Sequence, residues 1–122
     1  MVSFPGQSVR YNLKAFKLDE LKIADVKTTI ASYAQLLGKT AKLLDGFNVE
    51  PPNSYVQGND IQITIQNANI KKGDTVYLNV YNEFSKPPTQ EYYSAVATED
   101  GMATFKVKHI GLMSLFKLED VM

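Results

Sequence analysis

The 122-residue sequence contains no cysteine. That removes disulfide scaffolds, thiolate zinc sites, iron–sulfur clusters and cysteine nucleophiles together. It leaves the compartment open, because secreted Gram-positive bacterial proteins and virion proteins often lack cysteine as well. Histidine is nearly missing: His109 is the single one, so any histidine general base would have to be that residue. The serines, at positions 3, 8, 32, 54, 85, 94 and 114, include none in a nucleophile-elbow pattern. There is no excess of charge of one sign, with 13 basic and 13 acidic residues. A nucleic-acid binder would carry a basic excess or stripe; the nearest cluster, Lys71-Lys72, runs straight into the turn signal Gly73-Asp74. No apolar run approaches the length of a membrane span. Met1 to Gly6 shows neither a basic region nor an apolar stretch, so no signal peptide is expected there. Either the chain does not use that route or it is a piece cut from a larger one. A glycine-rich phosphate loop, internal repeats and low-complexity tracts are also missing.

Metal and acid–base chemistry find little to work with. Calcium needs several oxygen ligands at loop spacing, whereas Asn59-Asp60 and Asp74 stand isolated. A carboxylate pair could serve a glycosidase. However, Asp19-Glu20 reads as a helix start, where the dipole favours negative charge. Glu99-Asp100 reads as a hairpin turn, and Glu119-Asp120 lies near the C-terminus. His109 reads as a strand-end residue with local hydrogen bonds. No catalytic residue, metal or cofactor is expected.

What the sequence does contain is an ordinary globular share of apolar residues, 44%, which argues against disorder and for a real core in one domain, residues 1–122. Val9, Tyr11, Leu13 and Ala15 alternate with Arg10, Asn12 and Lys14, the period of a half-buried strand. One helix is predicted near residues 20–37, capped by Asp19 and stopped at Gly38. Its apolar stripe is Ile23, Val26, Ile30, Tyr33 and Leu37. Val26 to Ile30 also fits a strand, but the stripe persists over about four turns, beyond the usual strand length.

From residue 40 onward the pattern is β. Ala41 to Leu44 reads as a short strand, Asp45-Gly46 as a turn, and Phe47 to Val49 as its resumption before Pro51-Pro52. Gly58-Asn59 marks another turn. Ile61, Ile63 and Ile65 alternate with polar residues, as do Val76, Leu78 and Val80 after the turn Lys72-Gly73-Asp74. Ser85 to Pro88 reads as a hairpin tip, Tyr92 to Thr98 as a strand and Asp100-Gly101 as a turn. Ala103, Phe105 and Val107 alternate in the next strand, and a last one covers Leu115 to Leu118. The sum is a mostly β, antiparallel two-sheet sandwich with one amphipathic helix.

The landmarks Leu43-Leu44-Asp45-Gly46, Gly73-Asp74-Thr75-Val76-Tyr77-Leu78-Asn79-Val80-Tyr81 and Asp100-Gly101-Met102-Ala103-Thr104-Phe105 with His109 follow one another in the last two-thirds of the chain. Together they resemble small immunoglobulin-like β-sandwich modules of multimodular Gram-positive surface and secreted proteins. There a D-G-x-A-T-F strand leads to a histidine, then to a serine and an aromatic, parts that Ser114 and Phe116 would take. Here Ile110 to Met113 make the gap after His109 longer than in that pattern. The resemblance implies a non-catalytic spacer or binding module and supplies no functional residues.

The best recognition candidates are tyrosines. If Val76, Leu78 and Val80 face the core, Tyr77, Asn79 and Tyr81 must face away from it, with Tyr93 expected across from them on the neighbouring strand. Aromatic rings beside an amide suit a sugar face or a protein partner; the competing reading is cross-strand packing beneath the helix. The function expected is a non-catalytic structural or interaction module of a larger assembly, a bacterial surface protein or a virion accessory such as a phage capsid or tail component. A protein partner or self-assembly is expected, and neither nucleic acid nor membrane insertion. The alternative is a carbohydrate-binding module that uses the tyrosine face.

Overall fold

The computed structural model describes residues 2–3, 14–50, 61–82, 89–108 and 111–120. Its elements are β1 (Val2–Ser3), β2 (Lys14–Lys17), α1 (Glu20–Leu36), β3 (Lys39–Glu50), β4 (Ile61–Gln66), β5 (Thr75–Asn82), β6 (Thr89–Val96), β7 (Met102–Val107) and β8 (Leu112–Asp120). Most of the expected strand over Val9–Ala15, the signals Pro51-Pro52, Gly58-Asn59 and Ser85 to Pro88, and His109 lie outside the described residues.

The strands form two antiparallel sheets, one of three strands in the order β1-β4-β7 and one of five in the order β2-β3-β8-β5-β6. Alternation decides what each face does. Ile63, Ile65, Ala103, Phe105 and Val107 of the smaller sheet meet Phe47, Val49, Val76, Leu78, Val80, Met113 and Leu115 of the larger one in a single buried core. This is the two-sheet sandwich the alternation predicts, and it is not a closed barrel. The helix lies on the other face of the five-stranded sheet, giving three layers. None of the described helices is long and apolar enough to cross a membrane.

Local signals set the helix ends. Asp19 caps α1 by accepting the Lys22 N–H at 2.8 Å. Beyond the C-cap, Gly38 takes the left-handed conformation, φ 70°, that favours glycine. Val26, Ile30 and Ala34 are buried. Leu37, expected on the buried stripe, is 49% exposed, because the helix has already ended at Leu36 and the chain turns away.

Asp45-Gly46 is not a hairpin turn. β3 runs unbroken from Lys39 to Glu50 against β8, with a register shift between Leu43 and Asp45. The extra residue, Leu44, makes a β-bulge that packs its side chain toward the sandwich core. Its carbonyl accepts the Asn67 side-chain amide at 3.1 Å, so the bulge leaves that group satisfied. Glycine at 46 gives room to the helix start. A Cβ there would stand 2.9 Å from Leu18 Cδ1 and 3.1 Å from Ile23 Cδ1, where the helix start rests on the sheet. Gly46→Val is therefore expected to cost about 1–3 kcal/mol by overpacking. Gly46→Ala should cost less, since the Leu18 terminus can swing aside; urea denaturation of the two variants checks the order.

The loops opposite are held by charge. Asp74 Oδ2 accepts from Lys117 Nζ at 2.6 Å and from the Lys71 N–H at 2.9 Å. Lys117 Nζ also donates to the Asn69 carbonyl at 2.7 Å. The Lys117 ammonium, then the Lys71 N–H, hold the Asp74 carboxyl below its usual range. A carboxylate whose pKa is depressed by folding contributes stability above its unfolded pKa of about 3.9, and that stability is lost as pH falls further. Melting temperature measured across the acid range should fall less steeply in Asp74→Asn than in the parent chain.

Candidate functional site

The face of the five-stranded sheet beneath α1 is a grid of cross-strand rows. In one row Gly46 pairs with Ser114, Ser114 with Asn79 and Asn79 with Tyr92. The next holds Leu43, Phe116, Tyr77 and Ser94 in the same way. The helix closes over both rows. Tyr33 of α1 stacks on Tyr92 with ring centroids 3.8 Å apart, and both meet Phe116 edge-on at 6.1 and 6.4 Å. Tyr77 stacks on Phe116 at 5.6 Å. Burial, reinforced by the Tyr33 phenol, pushes the Tyr92 hydroxyl up from its ordinary pKa. Phe116 is fully buried at the centre of this aromatic cluster.

On the opposite side of these rows a third stays open. Phe16 pairs with Asn48, Asn48 with Leu112, Leu112 with Tyr81 and Tyr81 with Gln90, one residue from each of the five strands. Above it stands the first half of α1. Lys22, Asp25, Val26 and Thr29 of the helix face Asn79, Tyr81, Gln90 and Leu112 across a cleft of about 360 Å³. A second cleft of about 170 Å³, lined by Phe16, Lys17, Leu18, Asp19 and Asn48, shares Lys22 and Leu112 with the first. The two form one groove that runs across all five strands.

At the floor of the groove Asn79 is only 2% exposed. Its Nδ2 donates to Gln90 Oε1 at 3.2 Å and to the Glu91 carbonyl at 3.4 Å. Gln90 Oε1 also accepts from the Tyr92 hydroxyl at 3.2 Å, fixing the orientation of both amides. Beside Asn79, the Ser114 Oγ is buried with no partner among the described residues. An unmet buried hydroxyl costs about 1–3 kcal/mol. Ser114→Ala is therefore expected to be neutral or stabilising by about 1 kcal/mol, read from the urea midpoint.

The four residues read from sequence as one recognition surface do not lie together. Asn79 and Tyr81 line the groove. Tyr77 shares their face but packs on Phe116 under the helix. Tyr93 lies on the opposite face: it pairs with Leu78, packs against the sandwich core, and its hydroxyl accepts the Lys108 N–H at 3.1 Å. Strand parity explains this, since Tyr92, not Tyr93, is in register with Asn79. Sequence reading missed Phe16, Asn48, Gln90, Lys22, Asp25 and Thr29. They come together only through cross-strand register and helix placement.

A second surface is the outward side of α1. Leu21 and Leu36 are 79% and 85% exposed. Between them this side carries Ala24, Asp25, Thr28, Ala31, Ser32 and Gln35, all exposed. The Thr28 and Ser32 hydroxyls donate to the Ala24 and Thr28 carbonyls, both at 3.1 Å. No group of three or more metal-ligating side chains occurs among the described residues. No protein-family model, curated protein or solved structure matches the chain.

Proposed function

We propose that the chain is a non-catalytic interaction module that builds a larger assembly by pairing with a second copy of itself through the outward face of α1. The observation that carries this reading is the pair of exposed leucines at the two ends of that face, Leu21 and Leu36. They are fifteen residues apart, about 22 Å along a helix. A twofold axis perpendicular to α1 would lay the two helices antiparallel, and each Leu21 would then meet the other's Leu36, the self-complementarity an isologous interface requires. Ala24, Thr28, Ala31 and Ser32, four of the six residues between them, are small enough for close approach. The hydroxyls of Thr28 and Ser32 already donate within the helix, so covering them sacrifices little hydration. A formal net charge of zero brings no self-repulsion.

The setting we propose is the surface of a bacterium or a virion; the resemblance of its sequence landmarks to immunoglobulin-like modules supports the bacterial surface. Light scattering over a concentration series tests the pairing. The expected mass rises toward twice 13.6 kDa, and the Leu21→Lys, Leu36→Lys double variant stays at the single-chain mass with an unchanged melting temperature. A parent chain that remains single at every concentration contradicts the proposal.

A further inference from the structure

We infer that the transverse groove between α1 and the five-stranded sheet binds a neutral oligosaccharide laid across the strands. The groove opens beside the outward helix face and Asp25 borders both; the groove variants below leave Leu21 and Leu36 in place, so failure of this site and failure of the pairing are told apart. Its floor row takes one residue from each of five strands, and strands lie about 4.8 Å apart, so the row extends about 19 Å. That suits a short oligosaccharide better than a single sugar.

Direction argues against a peptide. An extended peptide gains affinity by running along a sheet edge and joining the hydrogen-bond ladder. A ligand in this groove crosses the strands and meets side chains alone. The repeat of the floor, one side chain per strand spacing, is comparable with the length of one pyranose unit and longer than the ~3.3 Å rise of an extended peptide residue.

Charge argues for a neutral ligand. The ionisable groups that line the groove are Lys17, Lys22, Asp19 and Asp25, two of each sign. They cancel, so neither an anionic nor a cationic chain is drawn in.

The polar groups at the floor have the pairing that sugar hydroxyls need, since each hydroxyl both donates and accepts. Among the described residues Asn79 uses only Nδ2 in its hydrogen bonds, which leaves its carbonyl oxygen to accept. Among the described residues Gln90 uses only Oε1, which leaves its Nε2 to donate. The shared bond between these two amides fixes both before any ligand arrives, so little ordering remains to be done on binding. Two members of the row are rings, Phe16 at one end, 48% exposed, and Tyr81 toward the other. Each offers an apolar surface to the C–H face of a sugar.

Titration of the full chain, labelled with 15N, against cellohexaose, maltohexaose and chitohexaose tests the site. Tetragalacturonate serves as an anionic control and a Gly-Ser decapeptide as a polypeptide control. At least one neutral sugar should give saturable shifts at the amides of Thr29, Asn79, Tyr81 and Gln90. Tyr81→Ala and Gln90→Ala should each weaken that binding about tenfold, equal to about 1.4 kcal/mol. Gln90 is exposed, so its variant keeps the test readable if Tyr81→Ala loses its fold. No saturable shift with any of the three neutral sugars, or a stronger response to the anion or the peptide, overturns the inference.

Discussion

Phe116→Ala is expected to lower stability by about 3–5 kcal/mol, the range for truncating a fully buried aromatic ring. Phe116 is 0% exposed and touches three other rings, Tyr33 of the helix, Tyr77 of β5 and Tyr92 of β6. Each aromatic contact adds about 0.5–1.5 kcal/mol beyond the area it buries. The ring belongs to the helix-covered layer rather than to the core between the sheets. Its loss therefore loosens α1 first and leaves the sandwich core intact. A domain of ordinary stability has only about 5–15 kcal/mol to lose, so the melting temperature should fall by ~10 °C or more. Phe116→Leu, which keeps most of the volume, should recover a large part of that loss. Thermal melts followed by circular dichroism separate the two variants.

The layout of the fold was legible where short-range chemistry decides it. Ile63 and Ile65 of β4, the alternation of Val76, Leu78 and Val80, the Asp19 cap and the turns at Gly73 and Gly101 are all local signals, and each ends up where its pattern points. Asp45-Gly46 misled because the same dipeptide suits a tight turn and a bulge. Only β8, more than sixty residues away, continues the pairing through it. The glycine answers to Leu18 and Ile23 on another element, a contact the sequence order does not display.

The candidate site was legible in part for a similar reason. Parity along β5 places Tyr77, Asn79 and Tyr81 on one face, and the structure keeps that. Parity alone cannot say which of the three the helix seals. Nor can it set the register of β6, which brings Tyr92 rather than Tyr93 opposite Asn79. The groove residues are scattered from Phe16 to Leu112 in the chain. No periodicity links them, since what joins them is a row perpendicular to every strand.

The central claim is that the helix divides this face into packed rows and one open row, so that Tyr77 serves the fold and Tyr81 the groove. Thermal denaturation of Tyr77→Ala and Tyr81→Ala, side by side, tests it most directly. Tyr77 is half-buried against Phe116, and its truncation should cost about 2–3 kcal/mol, part of the full aromatic range. Tyr81 borders an open cleft and should cost no more than about 1 kcal/mol, the scale of a cross-strand pair. A clear gap in melting temperature, with Tyr77→Ala the lower, is the predicted result. Equal losses, or a larger loss for Tyr81→Ala, would contradict the division.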